Sequence, residues 1–375
     1  MAKLKVLVVD DTIIYRKILS QAVEDTGLCQ VSKTAPNGAI ALDWLKQRSF
    51  DVVLLDVFMP EIDGLETLKQ IKMDYPHIDV IMISSDGSES VKNTMKALEL
   101  GALEFILKPT GGDENHNIAS ITRMLKILFA QIQIRQMSRR TSDGESHSNT
   151  AHVKANRLLD QRQVPRQLAV QQPTNKQKGS WRADMVLIAS STGGPVALER
   201  LFSSLPHELN IPMLIVQHMP KHFTRVLAQT LNNKTRLKVM EAENEMEMNA
   251  SSAIIAAGGF HMSVVQSGGK RKVQLLDTAH VNGVKPAADV LFKSIAESCQ
   301  GQRVLVVILT GMGSDGTAGI ARMQESCEVY CITQNEETCV VYGMPRSVEE
   351  AGFSDESLPI DQIAERIAAF GSRRR

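Results

Sequence analysis

The stretch Val186–Phe202, VLIASSTGGPVALERLF, has the pattern of a buried strand that leads directly into a helix. Its apolar run ends at Ser190 and Ser191, a Thr-Gly-Gly turn follows, and Pro195 suits the first turn of a helix. A serine there lies at the carboxyl end of a strand, beside helix N–H groups that lack intrahelical partners. The position suits a nucleophile whose reaction develops an oxyanion.

Strand-like apolar runs alternate with amphipathic helical runs on both sides of this stretch. In the carboxyl-terminal half the predicted strands cover 184–190, 213–219, 252–259, 272–277, 303–310 and 329–334. In the amino-terminal half they cover 4–10, 28–35, 51–57, 79–85 and 104–109. This alternation is typical of parallel sheets with helices on both faces. The sequence therefore predicts two doubly wound α/β domains, the first flavodoxin-like and the second Rossmann-like.

A segment of different composition separates the two predicted domains. Residues 135–180 are rich in Gln, Ser, Asn and Arg and contain few large apolar side chains. Such a segment buries too little apolar surface to offset the entropy of ordering it, so we expect a flexible linker. The predicted organisation is a first domain over 1–134, the linker over 135–180 and a second domain over 181–375.

The overall composition argues against several classes of protein. Lys+Arg and Asp+Glu number 42 each, so no net charge favours nucleic acid or an anionic membrane. The apolar runs are too short to span a bilayer, and the amino terminus lacks the pattern of a secretion signal. The five cysteines form no CxxC pair, which argues against a thiolate metal site. We expect a reduced, cytoplasmic protein.

Acidic residues end two predicted strands of the first domain. Asp10 and Asp11 end the first strand, and Asp56 lies near the end of the third. The ends of neighbouring parallel strands meet at one edge of the sheet, so these carboxylates would repel one another unless a hard divalent cation lay among them. Oxygen-only ligands suit Mg²⁺. Ser84 and Lys108 end the fourth and fifth strands, where both would reach a phosphoryl group on Asp56.

Taken one at a time, these aspartates also suit helix caps and turns. As a set, residues 1–125 resemble the receiver domains of two-component signalling. The matching positions are Asp10, Asp11, Asp56, Pro60, Ser84, Lys108 and Pro109. The resemblance implies that a histidine kinase supplies a phosphoryl group to Asp56 and that Mg²⁺ is required. It also implies that Phe105 is the rotating aromatic of the receiver switch, together with Ser84 and Lys108.

Three residues of the second domain form another candidate set. Acyl transfer by a serine needs a base that takes its proton and a group that orients the base. Ser191 is the candidate nucleophile, His218 directly follows a buried strand, and Asp315 lies in a glycine-rich turn after the most apolar strand. The candidate oxyanion-loop residues are Thr192, Gly193 and Met312, through their backbone amides.

The residues alone leave alternatives open. The Ser-Thr-Gly-Gly turn also suits a phosphate-binding loop. Ser190 is a competing hydroxyl, and His222 is a competing imidazole. Ala189 occupies the first glycine position of the G-x-S-x-G elbow, and the chain order Ser-His-Asp differs from the order in α/β-hydrolases. On this reasoning the second domain is a serine hydrolase of unusual lineage.

Residues 184–370 resemble the catalytic domain of chemotaxis protein-glutamate methylesterases. The matching stretches are ASSTGG, IVQHMPKHFT, VLFKSIA, ILTGMGSDG and QNEETCVVYGMPR. Together with the receiver resemblance, they cover nearly the whole chain, although Ala189 replaces a glycine often found in the family. The resemblance implies Ser191 as nucleophile, His218 as general base and Asp315 as the orienting acid. We expect Ser190 to have a supporting role.

The resemblance also implies a function. It implies phosphorylation-activated hydrolysis of glutamyl methyl esters on methyl-accepting chemotaxis receptors, release of methanol, and deamidation of receptor glutamines. The esterase reaction needs no cofactor, and contact with the membrane is only through the receptors. Three rivals remain: a non-enzymatic adaptor that binds receptors, a transcription regulator, and a hydrolase of small esters. Neutral net charge and the lack of a helix-turn-helix pattern disfavour the transcription regulator.

Overall fold

The chain forms two α/β units in a computed structural model. The structure describes residues 3–85, 87–109, 111, 113–142, 181–206 and 209–371. The main sheet of each unit is parallel throughout, which confirms the predicted doubly wound class. Within the described ranges, none of the helices combines the length and apolarity that a membrane crossing requires.

The first unit has a five-stranded sheet with the strand order β2-β1-β3-β4-β5. The strands are β1 Leu4–Val9, β2 Cys29–Ala35, β3 Val52–Asp56, β4 Asp79–Ser84 and β5 Glu104–Leu107. The helices along this part of the chain are α1 Ile13–Asp25, α2 Gly38–Gln47, α3 Gly64–Asp74, α4 Ser88–Glu99 and α5 Glu114–Ser142. All five predicted strands are present. Val9 pairs with Leu55, so Asp10 and Asp56 leave the sheet side by side.

Helix α5 extends beyond the predicted end of the first domain. Its Arg135 forms an ion pair with Asp79 at the start of β4, with a nitrogen–oxygen distance of 2.6 Å. This contact fastens the carboxyl-terminal part of the helix to the sheet. The predicted linker over 135–180 therefore begins inside α5, and its residues 143–180 lie outside the described residues.

The second unit has a seven-stranded parallel sheet with the order β14-β13-β12-β6-β7-β9-β8 and a separate pair, β10-β11. The strands are β6 Met185–Ser190, β7 Met213–Gln217, β8 Lys238–Glu241, β9 Ser252–Ile255, β10 His261–Ser267, β11 Lys270–Leu276, β12 Arg303–Ile308, β13 Glu328–Gln334 and β14 Glu356–Leu358. The helices are α6 Gly194–Ser204, α7 Phe223–Lys234, α8 Ala288–Ser298, α9 Thr317–Gln324, α10 Met344–Glu350 and α11 Ile360–Gly371. A short 3₁₀ helix covers Glu336–Thr338.

Five of the six strands predicted for this unit lie in the parallel sheet, but the one predicted over 272–277 does not. It corresponds to β11, which pairs antiparallel with β10. The two strands are joined by Gly268 and Gly269, which have φ values of 60° and 75°. Two successive residues with positive φ make the tight turn that closes a hairpin, so this strand turns back on its neighbour.

The order of the parallel strands places a topological switch point between β6 and β12. Strands β7, β9 and β8 lie on one side of β6, and the chain then returns to place β12, β13 and β14 on the other side. All six residues of β6 are buried, so this strand is the centre of the unit. In open parallel sheets, ligands bind beyond the carboxyl ends of the strands at such a point.

Candidate functional site

In the first unit, three carboxylates and one ammonium group meet at the carboxyl edge of the sheet. Lys108 Nζ lies 2.8 Å from Asp10 Oδ2 and 2.8 Å from Asp56 Oδ2. Asp10, Asp11 and Asp56 each offer a carboxylate oxygen, and these oxygens lie within 4.8 Å of one another. The predicted cluster is thus formed, and its lysine follows β5, an edge strand of the sheet.

The electrostatics of this cluster follow from its burial. Burial raises the pKa of Asp56 to about 6, and the ion pair with Lys108 only partly offsets this effect. Burial also acts to lower the pKa of Lys108, but hydrogen bonds to Asp10 and Asp56 outweigh it and raise the pKa. Three closely spaced carboxylates with one cation leave an excess of negative charge. This donor set of hard oxygens fits a divalent cation such as Mg²⁺.

The predicted switch residues lie on the neighbouring strands. Asp56 pairs with Ile83 across the sheet, so Ser84 lies one residue further along the same edge. The backbone N–H of Lys108 donates to the Ser84 carbonyl at 2.7 Å. Phe105 lies in β5 with its side chain buried. These contacts place Ser84 and Lys108 beside the carboxylates and Phe105 inside the unit.

In the second unit, the register of two central strands brings a serine and a histidine together. Ser190 at the end of β6 pairs with Gln217 at the end of β7. The backbone N–H of His218 donates to the Ser190 carbonyl at 3.0 Å. The residues that follow these two strands, Ser191 and His218, therefore leave the sheet next to each other.

The loop after β12 packs against the same serine from the other side. The Ser191 backbone N–H donates to the Thr310 carbonyl at 3.0 Å. A Cβ atom on Gly311 would lie 2.8 Å from the Ser191 Cβ atom, so this close approach requires glycine. Ser191 thus lies at the switch point, between the ends of β7 and β12.

His218 is bonded to a carboxylate that comes from the β12 loop. Its Nε2 atom lies 2.7 Å from Asp315 Oδ2, and the two side chains are 8% and 3% exposed. The Asp315 carboxylate also accepts hydrogen bonds from the backbone N–H groups of Ala288 at 2.6 Å and Asp289 at 3.1 Å. Burial acts to raise the pKa of Asp315, but the hydrogen bonds from His218 and the two backbone N–H groups outweigh it and lower the pKa. Asp315 is therefore ionised.

A second side chain bonded to this carboxylate was not predicted. Asn282 Nδ2 donates to Asp315 Oδ1 at 3.0 Å and to Asp289 Oδ2 at 2.8 Å, so it bridges the two acids. Burial, followed by the charge of Asp315, raises the pKa of Asp289. The only sequence signal is the Asn282-Gly283 pair, which is typical of a turn and carries no indication of a neighbouring carboxylate.

The structure distinguishes the competing side chains by burial and hydrogen bonding. Ser190 is fully buried, and its hydroxyl donates to Gln217 Oε1 at 2.6 Å, whereas Ser191 is half-buried. His222 is exposed at the start of α7, and the imidazole bonded to Asp315 is that of His218. Ser191 and His218 are thus the serine and histidine that lie at the switch point.

Two of the candidate oxyanion amides are available for a ligand. Among the residues that the structure describes, none accepts a hydrogen bond from the backbone N–H of Thr192 or of Met312. Gly193 also shapes the turn, because it takes a φ of 73° and a Cβ atom there would lie 2.5 Å from the Val340 Cβ atom. The turn after Ser191 therefore requires glycine at this position.

The two units define a class: response regulators with an α/β output domain whose candidate site has the composition of a serine hydrolase. The family model for the response regulator receiver domain matches residues 6–120, and the model for the CheB methylesterase matches residues 186–367.

Three similar proteins are each named protein-glutamate methylesterase/protein-glutamine glutaminase. The one from Desulfotalea psychrophila is 38% identical over 98% of both chains. The one from Trichodesmium erythraeum is 36% identical over 98% of this chain and 99% of its own. The one from Geobacillus kaustophilus is 39% identical over 98% of both chains. The chain belongs to the protein-glutamate methylesterase/protein-glutamine glutaminase family.

Proposed function

We propose that this protein hydrolyses γ-glutamyl methyl esters on chemotaxis receptors, releases methanol, and deamidates receptor glutamines to glutamates. The observation that carries the proposal is the 2.7 Å bond between His218 and Asp315 beside the half-buried Ser191. The names of the relatives support the choice of substrate. The reaction takes place in the cytoplasm, where the enzyme meets the receptors without entering the membrane.

The reaction begins when Ser191 Oγ attacks the carbonyl carbon of the ester. Its proton passes to His218 Nδ1, because Nε2 is occupied by Asp315. The tetrahedral intermediate expels methoxide, which takes the proton from His218 and leaves as methanol. Water then attacks the acyl-enzyme and gives its proton to His218. Collapse of the second intermediate breaks the Ser191 acyl bond, returns the proton to Ser191 and frees the glutamate. With glutamine as substrate, ammonia replaces methanol.

The oxyanion of each intermediate is held by the backbone N–H groups of Thr192 and Met312. Asp315 remains ionised and holds the proton of the neutral imidazole on Nε2, which leaves Nδ1 free to accept the serine proton. When the imidazole becomes positively charged, the same carboxylate stabilises it.

Phosphorylation of the receiver unit increases this activity. A phosphohistidine of the kinase supplies the phosphoryl group: an oxygen of Asp56 attacks its phosphorus, the P–N bond breaks, and the histidine leaves as neutral imidazole. Asp10, Asp11 and Asp56 would hold Mg²⁺, which neutralises charge on the phosphoryl oxygens when bound. Lys108 ion-pairs with the acceptor carboxylate, and Ser84 and Phe105 respond to the new group.

The proposal is tested by measuring methanol release from methylated receptor membranes, with and without acetyl phosphate and Mg²⁺. We expect release that increases with the phosphodonor and falls by about 10³-fold or more in Ser191→Ala. Ser190→Ala is the comparison, because its hydroxyl is adjacent but buried and bonded to Gln217, and we expect it to retain far more activity than Ser191→Ala. Wild-type turnover by Ser191→Ala would exclude the assignment.

The same assay separates the rival functions. A non-enzymatic adaptor would release no methanol and would not be labelled at Ser191 by a fluorophosphonate. A hydrolase of small esters would turn over a generic ester faster than the methylated receptor. A transcription regulator would be retained on duplex DNA at low salt.

A further inference from the structure

A buried glutamine connects the nucleophile turn to the histidine strand. Gln217 is the last residue of β7 and is only 1% exposed. Its Nε2 atom donates to the Ser191 carbonyl at 2.9 Å and to the His218 carbonyl at 3.2 Å. Its Oε1 atom accepts the Ser190 hydroxyl at 2.6 Å. One side-chain amide thus holds the backbone on both sides of the candidate site.

The bond to the Ser191 carbonyl also sets the direction of a neighbouring donor. The Ser191 C=O and the Thr192 N–H belong to the same planar trans peptide and point in opposite directions. The backbone N–H of Gly194 also donates to this carbonyl, at 2.7 Å, so Gln217 and the turn together fix where the Thr192 N–H points. That N–H has no acceptor among the described residues.

The second available amide is fixed in a corresponding way. The Gly311 carbonyl, which shares a peptide with the Met312 N–H, accepts the backbone N–H groups of Gly343 at 3.0 Å and Met344 at 2.8 Å. Each of these two candidate oxyanion donors therefore belongs to a peptide whose carbonyl oxygen accepts hydrogen bonds from neighbouring groups. For Met312 the backbone of a neighbouring loop donates these bonds. For Thr192 the Gln217 side chain does so together with the backbone N–H of Gly194, which donates to the Ser191 carbonyl at 2.7 Å.

The second glycine of the Thr-Gly-Gly turn is explained by the same side chain. A Cβ atom on Gly194 would lie 2.0 Å from Gln217 Oε1 and 2.9 Å from the Ser190 Cβ atom. The amide of Gln217 occupies the space that any other residue at 194 would need. The Thr-Gly-Gly turn and the Gln217 side chain can therefore pack together only with glycine at position 194.

We propose that Gln217 is a positioning residue for the oxyanion site. It holds the Ser191–Thr192 peptide so that the Thr192 N–H is directed at the reacting carbonyl oxygen. The inference rests on the proposed function. Replacing the amide nitrogen by a carboxylate oxygen would place negative charge against the Ser191 carbonyl. The peptide would rotate, and the Thr192 N–H would be lost from the site.

Gln334 offers a matched control elsewhere in the same sheet. It is the last residue of β13 and is also 1% exposed. Its Oε1 atom accepts the Thr310 backbone N–H at 2.8 Å, and its Nε2 atom donates to the Thr338 carbonyl at 2.7 Å. In both Gln217→Glu and Gln334→Glu the acceptor oxygen is kept and the donor is lost. Only the first substitution removes a donor to the Ser191 peptide.

The experiment compares these variants in the full-length protein. For Gln217→Glu we expect kcat for methanol release to fall about 10²-fold, the loss typical of one oxyanion donor, with KM little changed. The rate of Ser191 labelling by a fluorophosphonate should fall in parallel, because its phosphoryl oxygen takes the oxyanion position. Gln334→Glu should keep a kcat close to wild type even if its melting temperature falls as much as that of Gln217→Glu.

The outcomes separate the inference from the proposed function. An unchanged kcat in Gln217→Glu, an equal loss in both glutamate variants, or a change confined to KM would overturn the role of Gln217. If circular dichroism shows that Gln217→Glu does not fold, Gln217→Met decides, because it removes the donor without adding charge. A folded Gln217→Met with wild-type kcat would then refute the inference. A wild-type protein that releases no methanol and is not labelled would instead refute the proposed function.

Discussion

His218 Nε2 and Asp315 Oδ2 lie 2.7 Å apart, although 97 residues separate them in the chain. The carboxylate also accepts hydrogen bonds from the backbone N–H groups of Ala288 and Asp289, and these bonds fix its orientation. An ionised acceptor at this distance requires a proton on Nε2. The Nδ1 atom is consequently the basic nitrogen of the site.

Asp315→Asn should test this tautomer. The amide that replaces the carboxylate can donate to Nε2, which favours the imidazole with its proton on Nδ1 and leaves no base for Ser191. We expect kcat for methanol release to fall by about 10⁴-fold. Asp277→Asn, on an exposed loop of the same unit, is the control and should remain active. Near wild-type turnover by Asp315→Asn would mean that the histidine is oriented by another group.

Asp56→Asn should separate basal activity from its stimulation. The amide cannot accept a phosphoryl group, but the substitution leaves the second unit intact. We expect basal methanol release to persist and the response to acetyl phosphate and Mg²⁺ to disappear. Stimulation that survives in Asp56→Asn would show that phosphorylation acts through a different residue.

The stability of the first unit should depend on pH through the same side chain. Burial raises the pKa of Asp56 from 3.8 to about 6, so the fold favours the protonated carboxyl. Without Mg²⁺, wild type should therefore lose stability relative to Asp56→Asn as pH rises from about 4 to 6. The loss should reach about 3 kcal/mol and stay constant above pH 6.

Calorimetry in EDTA over this pH range measures the difference between the two proteins. Addition of Mg²⁺ at pH 7 should stabilise wild type more than Asp56→Asn, because the metal binds the folded carboxylates. A difference that does not change with pH would contradict the raised pKa.

Gly194→Ala should damage both stability and activity of the second unit. The added Cβ atom would lie 2.0 Å from Gln217 Oε1, so the glutamine or the turn must move. We expect a loss of about 1–3 kcal/mol in the free energy of unfolding, as for other overpacked sites, and a lower kcat. Gly87→Ala is the control, since its Cβ atom would meet nothing closer than 3.9 Å. Unchanged melting and turnover would show that the contact relaxes without effect.

Much of the fold follows from local sequence patterns. All strands of the first sheet were predictable from their apolar runs, as was the position of Ser191 at the end of β6. Strands β8, β10 and β14 were not predicted. Strands β8 and β14 are edge strands of four and three residues with little apolar pattern. The hairpin β10-β11 depends on the Gly268-Gly269 turn, and periodicity does not show which strand pairs with which.

The supporting residues of the site are less accessible to sequence reasoning. In the sequence, Gln217 is a polar residue inside the strand predicted over 213–219, and its role depends on the register that places it opposite Ser190. Asn282 acts on Asp315 only because the loop before α8 returns to the switch point. Residue type and spacing identify groups that do chemistry, but a hydrogen bond across strands is decided by the packing of the whole sheet.

The placement of β12 beside β6 has a consequence for synthesis of the chain on the ribosome. A nascent polypeptide that stops before Arg303 already contains the serine and the histidine, but it lacks the carboxylate of Asp315 and the amide of Met312. Under the proposed function, chains that stop before Arg303 lack two of the groups that act on the ester. Hydrolytic competence is acquired only when the late strands dock against an early one.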